Sequence, residues 1–244
     1  MRRLKLTLSY DGTNYCGWQV QKNAVSVQET MQNAAEKVFG IRPGISGCSR
    51  TDSGVHALMY CCHLDIDSEI PPQNIVRAFN TYLPRDIVVK QCEEVDENFH
   101  ARYSCSKKTY IYKIHNGKVR DPFSDKYELF VHSKLDEVLL NHAAEQFIGT
   151  HDFSAFCSLG SDIEDKTRTV FDSKVTRVDD KIIFEVTADG FLYNMVRIMA
   201  GTLIFVGSSK ISPDDISKII ASKDRNNAGK TAPPHGLYLK NVMY

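Results

Sequence analysis

The chain has 244 residues with 30 Lys+Arg against 30 Asp+Glu, so its formal charge is zero, and 42% of it is hydrophobic. With 14 glycines added, the apolar share lies in the range of about 45–50% usual for globular chains, which excludes wholesale disorder and leaves room for one large domain or two small ones. No apolar run approaches the roughly 18–20 residues of a membrane span, Lys5 and Asp11 interrupt any signal-peptide core, and a cytoplasmic chain is expected.

The first segment, RLKLTLSY, alternates Leu4, Leu6, Leu8 and Tyr10 with polar residues, the period of a half-buried strand. A turn at DGTNYCGW follows. Ser26 and Glu29 then form a capping box for a helix whose apolar face is Val27, Met31, Ala34, Ala35, Val38 and Phe39, stopped by Gly40. Two strand-like runs, ISGCS and ALMYCCHLDID, flank the polar loop RTDSGVH; after Pro71-Pro72 come a helix over NIVRAFNTYL and a strand over DIVVKQCEEV. The second half repeats this order. SKKTYIYKIHN reads as a strand, LDEVLLNHAAEQFIG as a helix ended by Gly149, FDSKVTRVDD and KIIFEVTAD as a hairpin, FLYNMVRIMAGTLIFVG as a buried helix and GLYLKNVMY as the last strand. A short helix after Pro213 and an insertion at 150–170 interrupt the pattern. The expectation is therefore an α+β chain of two ferredoxin-like β-α-β-β-α-β lobes, 1–100 and 101–244. Their largely antiparallel sheets are expected side by side, with helices on one face and a catalytic cleft between the lobes.

Seven cysteines, an odd count without C-x-x-C spacing, argue against a disulfide framework or a zinc ribbon and read as reduced packing residues. Residues 101–120 hold six Lys/Arg and no acid, with Tyr103, Tyr110 and Tyr112 among them, while EEVDE at 93–97 and SDIED at 161–165 restore the balance. Such a run is a solvated strand edge or a surface that tracks phosphates. Asp52, in D-S-G, reads by itself as a turn residue, His56 as a satisfied, partly buried histidine, and Tyr110 as a core aromatic. Arg197 stands among Met195, Val196, Ile198 and Met199, so partial burial is expected; a buried cation needs a partner, for which Asp52 is a candidate.

These stretches together change the reading. YDGTNYCGWQVQKNAVSVQ at 10–28, SRTDSGVHA at 49–57, FHARYS at 99–104, KKTYIYKI at 107–114, HDFSAF at 151–156, FLYNMVRIMAG at 191–201 and HGLYLKNVMY at 235–244 resemble, in order and over nearly the whole chain, the bacterial tRNA pseudouridine synthase A (TruA) family. Cys48-Ser49 depart from the glycine or alanine frequent before RTD, and Thr109 from the basic residue common before the tyrosine. The resemblance implies a homodimer that binds tRNA in basic clefts. It would isomerise uridines of the anticodon stem-loop, at standard tRNA positions 38 to 40, without a cofactor or metal. It further implies Asp52 as the essential carboxylate, acting as nucleophile or as base at the ribose, and Tyr110 against the uracil. Arg197 would pair with Asp52, and Arg50 would help to flip or replace the extruded base. Two other readings compete: a tandem RNA-binding module without catalysis, which leaves RTDSGVHA unexplained, and an Asp-dependent nucleotide hydrolase, which would need a phosphate loop or metal-binding carboxylates absent from the sequence.

Overall fold

The computed structural model describes residues 1–160 and 163–244; the first two residues of the acidic cluster at 161–165 therefore lie outside the described part. The class is α+β, and the chain divides into two compact units, Met1–Ser106 with Tyr238–Tyr244, and Lys107–Leu237.

In the first unit the strands are β1 (Arg2–Tyr10), β2 (Ser46–Gly47), β3 (His56–Ile66), β4 (Ile87–Val95) and β10 (Leu237–Met243), and the helices α1 (Val27–Phe39) and α2 (Pro72–Tyr82). The sheet runs β4-β1-β3-β10 with β2 on β3. β1 is antiparallel to both neighbours, with Leu6 opposite Cys62 on β3 and Cys92 on β4, while β10 runs parallel to β3. Leu4, Leu6 and Leu8 are fully buried, as the alternation requires, and share a core with Val27, Met31, Ile75 and Phe79. Helix α1 has the expected ends: Ser26 accepts a hydrogen bond from the Glu29 amide (3.2 Å), and Gly40 closes the helix with φ 75°. Helix α2 begins earlier than its apolar pattern, at Pro72, because proline's fixed φ suits the first helical position.

The second unit holds β5 (Lys107–His115), β6 (Leu129–Phe130), β7 (Gly149–Asp152), β8 (Thr167–Val178) and β9 (Lys181–Ala188), with α3 (Glu137–Glu145), α4 (Met195–Gly207) and α5 (Ile216–Ser222). Its strand order is β5-β9-β8-β7, with β6 beside β5. The hairpin β8–β9 forms as expected, and Ile182, Phe184, Val186 and Ala188 face the core.

Other details also differ from the sequence expectation: the last strand, expected in the second lobe, is β10, which pairs with β3 in the first unit. Helix α3 stops at Glu145 and tightens into three successive i→i+3 bonds through Ile148, so Gly149, at φ 120°, opens β7 and does not end the helix. The buried helix starts at Met195 and not at 191, because Asn194 adopts the left-handed conformation, which cannot continue a right-handed helix. Among the described residues, no helix is long and apolar enough to cross a membrane.

Candidate active site

The polar loop between β2 and β3 is braced by the turn that follows β1. The Asp52 carbonyl accepts from the Val55 amide (3.2 Å), and Gly54 sits at φ 76°, so the backbone of D-S-G is indeed a tight turn. The Gly54 amide donates to the Tyr15 carbonyl (3.2 Å), the Trp18 amide to the Thr51 carbonyl (3.1 Å), and the Tyr10 and Thr51 hydroxyls meet at 2.8 Å. Two glycines make this approach possible. A Cβ on Gly12 would lie 2.0 Å from the Val55 carbonyl oxygen, and one on Gly17, whose φ is 81°, would lie 2.3 Å from that of Thr51. The Y-D-G-T-N-Y-C-G-W and R-T-D-S-G-V-H segments, 41 positions apart at Tyr10 and Thr51, are thus one packed assembly.

Within it the side chains sort by burial. Thr51, Val55 and His56 are buried, Arg50 and Ser53 are exposed, and Asp52 is half-buried. The alternation across Thr51 agrees with Arg50 and Asp52 sharing the solvent side. His56 is 2% exposed, accepts the Gly12 amide at Nδ1 (3.1 Å) and stacks on Tyr238 with ring centroids 4.7 Å apart, which fits the reading of a satisfied histidine.

The other two candidates lie in the second unit. Tyr110, in the middle of β5 opposite Val186, is 6% exposed and meets Phe191 edge to face with centroids 5.1 Å apart. Thr109, where a basic residue is common in the resembled family, instead joins its hydroxyl to Thr187 across the strand pair (2.8 Å). Arg197, on the first turn of α4, is half-buried as expected. Its Nε donates to the Ala232 carbonyl (2.8 Å) and its Nη1 to Asn194 Oδ1 (2.6 Å), while the Ala232 amide returns a bond to the Arg197 carbonyl (3.0 Å). Gly201 lets the 230–232 segment close on the helix, since a Cβ there would lie 1.7 Å from the Lys230 carbonyl oxygen. Phe191 and Asn194 were not singled out by sequence; the one signal was an asparagine, a favoured helix-start residue, three positions before Arg197 in a mostly apolar run.

The basic run at 101–120 is not a uniform patch. Lys107 lies over the Phe171 ring (4.3 Å), Arg102 beside Tyr103 (5.8 Å), and Arg120 pairs with Asp125 (3.0 Å). Lys113 is half-buried near Glu128 and Lys181, and burial lowers its pKa. Lys118 is exposed. Among the described residues, no group of three or more His, Cys, Asp or Glu side chains is placed to hold a metal ion.

Comparison with known proteins places the chain in a family. The family model of the tRNA pseudouridine synthases matches residues 7–104 and 143–244, which include Arg50, Asp52 and Arg197. The chain belongs to the tRNA pseudouridine synthase family. Similar members of that family are the tRNA pseudouridine synthases A of Clostridium acetobutylicum, 46% identical over 244 residues with both chains covered completely, and of Thermoanaerobacter sp., 47% identical over the same span. That of Exiguobacterium sp. is 45% identical, with all of this chain and 98% of the relative covered. Among solved structures, a Cbf5-Nop10-Gar1 complex aligns with 96% of this chain and 57% of that one at 11% identity and a TM-score of 0.40, a likeness too remote to bear on the synthase assignment.

Proposed function

We propose that this synthase isomerises uridine to pseudouridine in the anticodon stem-loop of tRNA, at standard positions 38 to 40, with Asp52 as its essential carboxylate. Membership of an enzyme family that makes this isomerisation, with 46% identity along the full chain to a named tRNA pseudouridine synthase A, carries the reading. The reaction breaks the N-glycosidic bond at C1′, turns the uracil and rejoins it through C5. One proton leaves C5 and one is taken up at N1, so electrons and groups balance within the substrate, and the stoichiometry calls for no cofactor. The base must first leave its stack, at a cost of roughly a few kcal/mol, and be held while detached.

Each residue's chemistry suits one part of that task. Asp52 is a carboxylate on a loop whose backbone is braced at Thr51, Gly54 and Val55, so it can act at the ribose as nucleophile or base without reorganising. Tyr110 offers a rigid aromatic face; stacking of a base on such a ring contributes about 1–3 kcal/mol. Arg197, held at Nε and Nη1, supplies a fixed positive charge for the reacting carboxylate. Arg50, exposed, fits a group that helps to flip the target nucleotide or takes its place. In this reading residues 1–100 carry the aspartate loop and 101–244 the tyrosine strand and arginine helix, and the enzyme works as a cytoplasmic homodimer on tRNA.

The test is carbodiimide and primer-extension mapping of unmodified tRNA transcripts after incubation with the wild type and with Asp52→Ala. A new stop in the anticodon arm is expected with the wild type alone, while Asp52→Ala still binds tRNA. Product from Asp52→Ala at a comparable rate would overturn the assignment of the carboxylate. Stops elsewhere in the tRNA, or none, would overturn the target region.

A further inference from the structure

Asn194 occupies the position immediately before α4, where an asparagine side chain ordinarily accepts a hydrogen bond from the second or third amide of the helix. Here it makes no such cap. Its backbone is left-handed, at φ 61° and ψ 9°, a conformation that residues other than glycine adopt seldom and asparagine tolerates better than most. The amide is turned to other partners. Oδ1 accepts from Arg197 Nη1 (2.6 Å), one helical turn on, and Nδ2 donates to Ser158 Oγ (2.9 Å). The Ser158 amide also donates to the carbonyl of Tyr193 (3.1 Å), so a single serine anchors both the backbone before Asn194 and its side chain.

This arrangement has a direction. With Nδ2 bound to Ser158, the amide must present its oxygen to the guanidinium; a flipped amide would set donor against donor on the Arg197 side. Together with the Ala232 carbonyl on Nε, it fixes two edges of the guanidinium plane. A helix start that used its asparagine only as a cap would need neither the left-handed backbone nor the contact with Arg197.

We propose that Asn194 is a positioning residue for the isomerisation, its left-handed backbone and Ser158 anchor aiming the side-chain oxygen so that Arg197 is held in one orientation. The inference rests on the role given to Arg197 above. It adds a residue that does not itself touch the substrate.

The experiment compares Asn194→Gly and Asn194→Asp with the wild type and with Arg197→Ala, singly and combined, in steady-state and single-turnover assays on tRNA. Glycine accepts a positive φ freely, and aspartate is as good as asparagine at a helix start, so a merely structural role predicts unchanged turnover in both variants. A positioning role predicts a fall in kcat in both with KM for tRNA within about threefold. Glycine removes the contact, and aspartate, which cannot donate to Ser158, sets beside the guanidinium a second carboxylate that competes with the reacting one for its charge. The expected fall is roughly 10- to 100-fold, since displacing a reacting group by about 1 Å can cost on the order of 100-fold. In the Arg197→Ala background, Asn194→Gly should cost nothing more. Wild-type kcat in both Asn194 variants, or the same loss with and without Arg197, would overturn the proposal. Wild-type turnover in Arg197→Ala would instead overturn the role of Arg197 itself.

Discussion

Gly17→Ala puts a single methyl group where the turn after β1 meets the aspartate loop. The new Cβ would lie 2.3 Å from the Thr51 carbonyl oxygen and 3.1 Å from the carbonyl carbon of Asp52, where ordinary contact begins near 3.4 Å, so the two segments must separate by about 1 Å. The Thr51 carbonyl already accepts the Trp18 amide at 3.1 Å, and the loop cannot yield elsewhere without straining Tyr10–Thr51 or Gly54–Tyr15. The left-handed backbone at φ 81° costs an alanine about 1–2 kcal/mol, and the weakened hydrogen bond about 0.5–1.5 kcal/mol more. A loss of roughly 1.5–3.5 kcal/mol corresponds to a melting temperature lower by about 3–14 °C for a chain of this size. Because the displaced atoms carry Asp52, single-turnover isomerisation should fall by on the order of 100-fold. Differential scanning calorimetry and a pseudouridine mapping assay read the two effects. Gly44→Ala is the control: nothing lies within 4 Å of its Cβ and its φ is ordinary, so it should be neutral or slightly stabilising. Wild-type melting and turnover in Gly17→Ala would refute the claim that these two segments are packed at contact distance.

Other perturbations test the remaining links. His63, whose Nδ1 accepts the Ala101 amide (3.1 Å), is pushed down from 6.5 to about 4, mainly by burial and further by His100 and Arg3. As pH falls from 6.5 towards 4 the unfolded chain takes up a proton that the folded one refuses, so stability is lost across that window, by ~2 kcal/mol after solvent screening. His63→Asn keeps an acceptor for Ala101 and cannot titrate, so its urea-unfolding curves should lose less stability over the same pH range; parallel losses would contradict the argument. Tyr110→Phe should retain the stacking face and more activity than Tyr110→Ala, and equal turnover in the two would show that stacking is not the useful property. If the 101–120 run tracks phosphates, tRNA binding should weaken steeply with salt, and Lys118→Ala should lower the slope of log K against log salt by about one. A flat response would make that run a solvated strand edge.

Much of the architecture was legible in the chain because it is written at short range. The two-residue period of Leu4, Leu6 and Leu8 is β1, and Ser26, Glu29 and Gly40 mark the ends of α1, since a strand's faces and a helix's caps depend on neighbours within a few positions. The polarity of RTDSGVH between apolar strands marked the loop that carries Asp52. Family resemblance, not periodicity, attached roles to Asp52, Tyr110, Arg197 and Arg50.

Other features were decided only by tertiary packing. The apolar run from 191 reads as helix throughout, yet α4 starts at Met195, because the left-handed turn at Asn194 is stabilised by Ser158, 36 residues earlier, and by Arg197. ISGCS reads as a full strand, yet β2 is only Ser46–Gly47, where Gly47 packs against the rings of Trp18 and Tyr60. Gly12 and Gly17 read as turn glycines; their close approach to Val55 and Thr51 appears only when β1 and β3 pair. Spacing along a chain encodes which face a residue occupies, but a contact between residues dozens of positions apart exists only once the sheet has closed. The support of the aspartate loop and the grip on Arg197 are contacts of that second kind.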